Sequence, residues 1–421
     1  ELEAFNGHRY SDREFKKVLN HLSKGNFFTK AENLRDRFQL NRDDGTTAYL
    51  QFFDSDKAEA NRWQVTHQVT QEGTYKNRYD VTVLANGLPI VQIELKKRGM
   101  EIKEAFNQIK RYQRHSFNAN HGLYWFTQLL IISNGVNTKY YSNDGGANDF
   151  KQTTYWADRD NVKITDLTAF AKAFLTPEHL TRMVGKYLVL NTAKSVMALR
   201  PYQIYAAEAI VDTVARGEGN GYIWHTTGSG KTLTSFKASQ ILTKMPGIHK
   251  VVFVVDRKDL DYQTMKEFNS FRKDSVDGTS NTKALVDQLT DDTKLIVTTV
   301  QKLNNAVSKK AYAAKLNTVA SEKMVFIFDE CHRSQFGETH QRITEFFPNH
   351  QLFGFTGTPI FAENASKNDL GKRTTRDLFG DCLHKYVITD AIRDEKVLPF
   401  SVEYIGRYRD TSRTFVDIDV E

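Results

Sequence analysis

Cysteine is nearly absent from this 421-residue chain. The two present, Cys331 and Cys382, are too few for a disulfide scaffold or a four-cysteine zinc site, and their scarcity suits a reducing compartment. With only 7 prolines and 24 glycines, a collagen-like or linker-dominated chain is excluded. No apolar run approaches the roughly 18 residues a membrane-crossing helix requires. The opening ELEAFNGHRY is mixed and polar, without the features of a secretory signal. The expectation is a cytoplasmic protein that makes no membrane contact. A start on Glu1 rather than Met points to a piece of something longer.

What is present is ample material for packed cores: 40% hydrophobic residues, with 28 Phe, 18 Tyr and 4 Trp. Lys and Arg outnumber Asp and Glu 58 to 51, a formal +7, a mild bias toward a polyanionic partner. The length suits two or three domains.

The chain divides into unlike halves. In the first, Ser11 is placed to cap a helix whose apolar face carries Phe15, Val18, Leu19 and Leu22. Strand-like alternation follows at 63–69, then a hairpin over 79–96 centred on Asn86-Gly87. The spacing of Ile102, Ala105, Phe106, Ile109 and Tyr112 predicts a helix over 101–115, and Leu129–Ser133 reads as a buried strand. Residues 156–195 read as a helical connector. The second half repeats short apolar runs at 222–224, 251–255, 295–300, 324–328 and 352–355, separated by stretches long enough for helices. Continuous apolar runs indicate strands buried on both faces, hence a helix-covered parallel sheet. The fold class expected is α/β.

Two constellations carry chemistry. The run from Ile223 to Thr232 is a strand entering a glycine-bearing loop and then a helix. Thr227, Gly228, Ser229 and Gly230 let backbone N–H groups curl around phosphate. Lys231 can reach the β/γ-phosphates, and the Thr232 hydroxyl can bind Mg²⁺. The strict pattern wants glycine where His225 stands. Downstream, Asp329 and Glu330 end an apolar strand, Asp329 placed to hold Mg²⁺ and Glu330 to orient the attacking water. Gln203 can read the adenine edge, and Thr356-Gly-Thr-Pro359 can relay a change at the phosphate site.

In the first half, Asp80 and Glu94 fall on adjacent strands, and Glu94 and Lys96 share a strand face. Two carboxylates there could hold Mg²⁺ against a scissile phosphate, with Lys96 positioning water. The turn is a check. A plain two-residue Asn86-Gly87 turn puts Asp80 opposite Ile93, whereas an odd loop or a bulge puts it opposite Glu94. Gln108 and Tyr112 share a face of the next helix. From Glu94 to Arg114 there are seven Lys/Arg against three Glu, a stretch suited to a phosphate backbone.

Arg200-Pro-Tyr-Gln203, Thr227–Thr232, Asp329-Glu-Cys-His332 and Thr356–Pro359, in that order, resemble the first motor domain of superfamily 2 helicases and translocases. The resemblance implies a RecA-like fold, ATP, and a second RecA-like domain carrying arginine fingers. Asp80, Glu94-Leu-Lys96 and Gln108–Tyr112 resemble the PD-(D/E)xK nucleases with a Q-x-x-x-Y element, which often add an acidic residue on an early helix, here Glu14 or Glu32. Together, with Asp390–Phe400, they resemble the R subunit of type I restriction–modification enzymes.

That family implies an endonuclease domain at 1–155, the connector at 156–195, the motor domain at 196–400, and at 401–421 the start of a link to a second motor domain. It implies Mg²⁺-dependent cleavage of double-stranded DNA, and methyltransferase and specificity subunits as partners. S-adenosylmethionine would bind only through those partners. A repair helicase–nuclease without methyltransferase partners is the alternative.

Overall fold

Two seven-stranded sheets organise the chain. The structure, a computed structural model, describes residues 1–217, 219–255, 258–271, 277–278, 281–332, 336–365, 367–368, 371–372, 374–399, 405–409 and 415–419.

The first sheet runs in chain order: Trp63–Glu72, Lys76–Ala85, Leu88–Leu95, Leu129–Ser133, Thr138–Ser142, Thr154–Ala157 and Lys163–Ile164. All its pairings are antiparallel except Leu88–Leu95 with Leu129–Ser133, which are parallel because the helix Ile102–His115 crosses over between them. That helix lays Ala105, Phe106 and Ile109 on Leu130, Ile132 and Tyr141. The other face packs on the early helices, on Phe126 just before the strand Leu129–Ser133, and on Phe170 and Phe174 of the helix that follows the sheet.

The helix Asp12–Ser23 has the expected Ser11 cap, completed as a capping box by Glu14. Its buried stripe differs from expectation. Glu14, Val18 and Leu22 face inward at intervals of four, whereas Phe15, one position off that line, is 50% exposed. The connector differs as well. Residues 154–164 extend the first sheet, helices occupy Leu167–Phe174 and Pro177–Arg182, and Leu188–Leu190 pairs with Val196–Ala198 as a hairpin. The sheet extension is possible because Trp156 has a buried pocket to fill among Tyr140, Phe174 and His179.

The second sheet is wholly parallel, in the order 277–278, 295–299, 250–255, 324–328, 350–356, 221–225 and 381–386. Its central strands Lys250–Val255, Leu295–Thr299 and Met324–Phe328 are buried throughout, the consequence of helices on both faces. Tyr140 and Ser142 of the first sheet donate to the carbonyls of Leu199 and Val196, and Tyr205 donates to that of Ala157. Lys163 pairs with Asp394 at 3.1 Å. The two halves are thus joined by the last strands of the first sheet and by the segment leaving the second. Of the C-terminal stretch, Ile405–Arg409 pairs antiparallel with Phe415–Asp419; Phe400 and the rest of 401–421 lie outside the described residues.

Candidate active sites

The hairpin decides the first site. Asn86 and Gly87 both take positive φ, 54° and 85°, as a tight two-residue turn requires, and Ala85 faces Leu88. The register then shifts: Leu84 pairs with Pro89 but Val83 with Val91, so Ile90 is a bulge. Beyond it Val81 faces Ile93, and Asp80 comes opposite Glu94. The Asp80 carboxylate accepts the Leu95 N–H at 2.8 Å, which fixes it at the strand end.

Lys96 donates to Glu94 Oε1 at 2.8 Å and to Gln108 Oε1 at 2.5 Å. The Gln108 amide in turn donates to the Tyr112 hydroxyl, which donates to the Arg78 carbonyl at 2.9 Å. The structure therefore brings Asp80, Glu94, Lys96, Gln108 and Tyr112 into one connected group. Lys96 keeps 13% of its side chain exposed, while that of Glu94 has none. Burial, helped by the nearby Asp80 charge and opposed by Lys96, pushes the Glu94 carboxyl up to about 7. Its second oxygen, Oε2, is buried and has no hydrogen-bond partner among the described residues. An orphaned carboxylate oxygen beside a second carboxylate fits a divalent cation. Among the described residues no cluster of three or more His, Cys, Asp or Glu forms a fuller cage, so water and phosphate oxygens would complete the shell.

The early-helix acids are elsewhere. Glu14 accepts the backbone N–H groups of Ser11 and Asp43 and meets Arg42 at 3.4 Å; the two backbone bonds hold its carboxyl below the usual range. Glu32 is exposed. Neither touches Asp80 or Glu94. On the helix Ile102–His115, Lys103, Arg111 and Arg114 are exposed, whereas Lys110 is held by the Asn148 carbonyl.

The second site lies at the C-terminal ends of parallel strands, where such sheets bind ligands. Gly221–His225 leads into the loop 226–230 and the helix Lys231–Leu242. Gly228 and Gly230 adopt φ of 78° and 80°, which turns the loop sharply enough to leave Thr227, Gly228 and Gly230 exposed. Ser229 is buried, its hydroxyl donating to the Thr226 carbonyl. Lys231 meets Glu330 at 3.3 Å. Burial and repulsion from Glu330 push the Asp329 carboxyl up to about 6, with Lys231 pulling the other way. The Thr232 hydroxyl has no protein partner among the described residues.

Three features were not legible beforehand. His225, standing where glycine was expected, is fully buried under the loop, its Nε2 3.0 Å from Nδ1 of His384 on the edge strand. His332 bridges the acidic pair to the threonine motif. Its Nδ1 lies 3.5 Å from Glu330 and 2.9 Å from the Thr356 hydroxyl, which also accepts the Thr358 N–H. Gln203 is buried. It accepts the Arg200 N–H and donates to the Ser229 and Gly230 carbonyls, so its amide is bound to the loop itself. The Asp-Glu-Cys-His run held the signal for His332; nothing local announced His384.

The family description "Type I restriction enzyme R protein N terminus" matches residues 1–149, and "SWI2/SNF2 ATPase" matches 202–421. A type I restriction enzyme endonuclease subunit from Staphylococcus aureus is 49% identical over 409 residues, 97% of this chain and 43% of that one. One from Staphylococcus saprophyticus is 50% identical over 406 residues, 96% of this chain and 43% of that one. The chain belongs to the endonuclease-subunit family of type I restriction enzymes. It spans 43% of the length of these relatives. A solved fragment of a putative HsdR subunit from Vibrio vulnificus YJ016 aligns at a TM-score of 0.33, with 17% identity over 79% of this chain and 56% of that one. Among the described residues no helix is long and apolar enough to cross a membrane.

Proposed function

We propose that this chain supplies the nuclease and part of the motor of a type I restriction enzyme. It would move double-stranded DNA with ATP and cleave it away from an unmethylated recognition site. One observation carries the reading: a carboxylate pair tied to a Lys–Gln–Tyr chain and a phosphate loop facing an Asp–Glu pair occur in one polypeptide.

In the nuclease half, Asp80 and Glu94 would hold Mg²⁺, which when bound neutralises charge on the scissile phosphate. Lys96, kept in place by Gln108 and Tyr112, orients water toward the phosphate. Exposed Lys103, Arg111 and Arg114 offer sequence-independent contacts to the DNA backbone.

In the motor half, the 227–230 backbone and Lys231 cradle the phosphates, and Thr232 and Asp329 would hold Mg²⁺. Glu330 orients the hydrolytic water, and on nucleotide binding Lys231 exchanges Glu330 for phosphate. Glu330 then bears on His332 and Thr356, a physical route from the nucleotide to the next motif.

Methyltransferase and specificity subunits are the expected partners, S-adenosylmethionine binding to them, with the assembly in the cytoplasm. The deciding experiment measures ATP hydrolysis by the assembled complex on unmethylated and methylated DNA. Stimulation by the unmethylated duplex alone is expected. No stimulation by either would overturn the reading.

A further inference from the structure

A cavity of about 440 Å³ opens at the seam between the two halves, and its lining includes none of Asp80, Glu94, Asp329 and Glu330. That volume lies in the range of small-molecule sites. Its charge is lopsided: Lys139, Lys151, Lys163, Arg200 and Lys396 line it against only Asp394 and Glu395. Asp394 is already engaged, by Lys163 at 3.1 Å and by the Tyr386 hydroxyl at 2.9 Å. Lys139, Arg200 and Lys396 have no carboxylate within ion-pair distance among the described residues.

These cations are held in place by groups that do not neutralise them. The Lys139 ammonium sits over the rings of Phe150 and Tyr155, 5.0 and 4.6 Å from their centres. Lys396 donates to the Lys151 carbonyl at 3.3 Å, and Arg200 to the Tyr202 hydroxyl at 3.1 Å. Burial, then repulsion from Arg200 and Lys139, draws the Lys396 ammonium down to about 8, with the charges of Asp394 and Glu395 opposing the shift. Gathering three unpaired cations around a half-buried hollow is unfavourable unless an anion fills it.

We propose that this seam cavity is a second anion site, which takes the phosphate groups of a nucleotide or of a nucleic-acid strand between Lys139, Arg200 and Lys396. The loop at 227–230 adjoins a neighbouring cavity of about 310 Å³ that shares Thr154 and Arg200 with this one, whereas Lys139 and Lys396 line the seam cavity alone; the proposal does not depend on the function proposed for that loop. Residues from the first sheet and from the segment leaving the second both line it, so an anion bound there would stiffen the joint between nuclease and motor.

The test is calorimetric titration of the full chain with pyrophosphate, without divalent metal. Wild type should show two sites. Lys231→Ala should retain the seam site, and Lys139→Gln/Lys396→Gln should retain only the loop site, with seam affinity reduced at least roughly tenfold. Glu395→Gln, which removes a competing carboxylate, should tighten seam binding about 2- to 5-fold; this variant decides the matter if the double variant fails to fold. In Lys231→Ala, displacement of pyrophosphate by a short DNA duplex identifies a strand phosphate, and displacement by ADP alone a nucleotide; either supports the site. Unchanged stoichiometry in Lys139→Gln/Lys396→Gln, or unchanged affinity in Glu395→Gln, overturns it.

Discussion

Tyr112→Phe removes one oxygen and probes the whole support of the nuclease lysine. Tyr112 is 1% exposed, and its hydroxyl donates to the Arg78 carbonyl at 2.9 Å while accepting from the Gln108 amide. Gln108 in turn accepts from Lys96. Loss of the hydroxyl strands one donor and one acceptor, a cost of about 1–3 kcal/mol. For a domain of this size that lowers the melting midpoint by roughly 2–4 °C per kcal/mol. The larger effect is positional: Gln108 is freed to turn, and Lys96 loses one of its two anchors. Outer partners of metal-site groups typically contribute about 10- to 100-fold to activity, so DNA nicking by the assembled complex should fall by that order while DNA-stimulated ATP hydrolysis is unchanged. Adding Tyr112→Phe to Lys96→Ala should then reduce nicking little further, because the hydroxyl acts through the lysine. Nicking at the wild-type rate despite a lowered midpoint would show that the Lys–Gln–Tyr chain has no part in cleavage.

Other substitutions test separate links. Gly230→Ala places a Cβ 2.6 Å from Gln203 Nε2 at a φ of 80°; it should destabilise the loop by about 1–2 kcal/mol and weaken ATP binding, measured by calorimetry. Glu330→Gln should bind ATP but not hydrolyse it, in single-turnover assays; hydrolysis at the wild-type rate would remove Glu330 from the mechanism. Lys30 is fully buried, and burial draws its ammonium down to about 8. The unfolded chain therefore holds more protons than the folded one between about pH 8 and 10.5, so stability should rise with pH across that window. The gain from pH 7 to 10 is about 2 kcal/mol. In Lys30→Met the rise should vanish from denaturation curves; an identical pH profile would refute the assignment.

Much of this was readable from local chemistry. Uninterrupted apolar runs such as Met324–Phe328 declare strands buried on both faces. The period-two spacing of Glu94 and Lys96 puts both on one face, and their contact at 2.8 Å follows. Helical spacing likewise places Gln108 beside Tyr112. The first helix shows the limit. Phe15 looks like core by composition, yet the buried line runs through Glu14, because that carboxylate is needed to cap the helix and to receive the Asp43 N–H.

Sequence alone thus determined most of the elements outside the 156–195 connector and which groups within one element lie side by side, since these depend on backbone periodicity over a few residues. Folding in three dimensions decided the rest. The single extra residue Ile90 turns Asp80 toward Glu94, His384 comes from 159 positions away to meet His225, and Lys139, Arg200 and Lys396 gather at a seam. Such meetings are fixed by how whole sheets pack against one another, and no local rule of spacing contains that information.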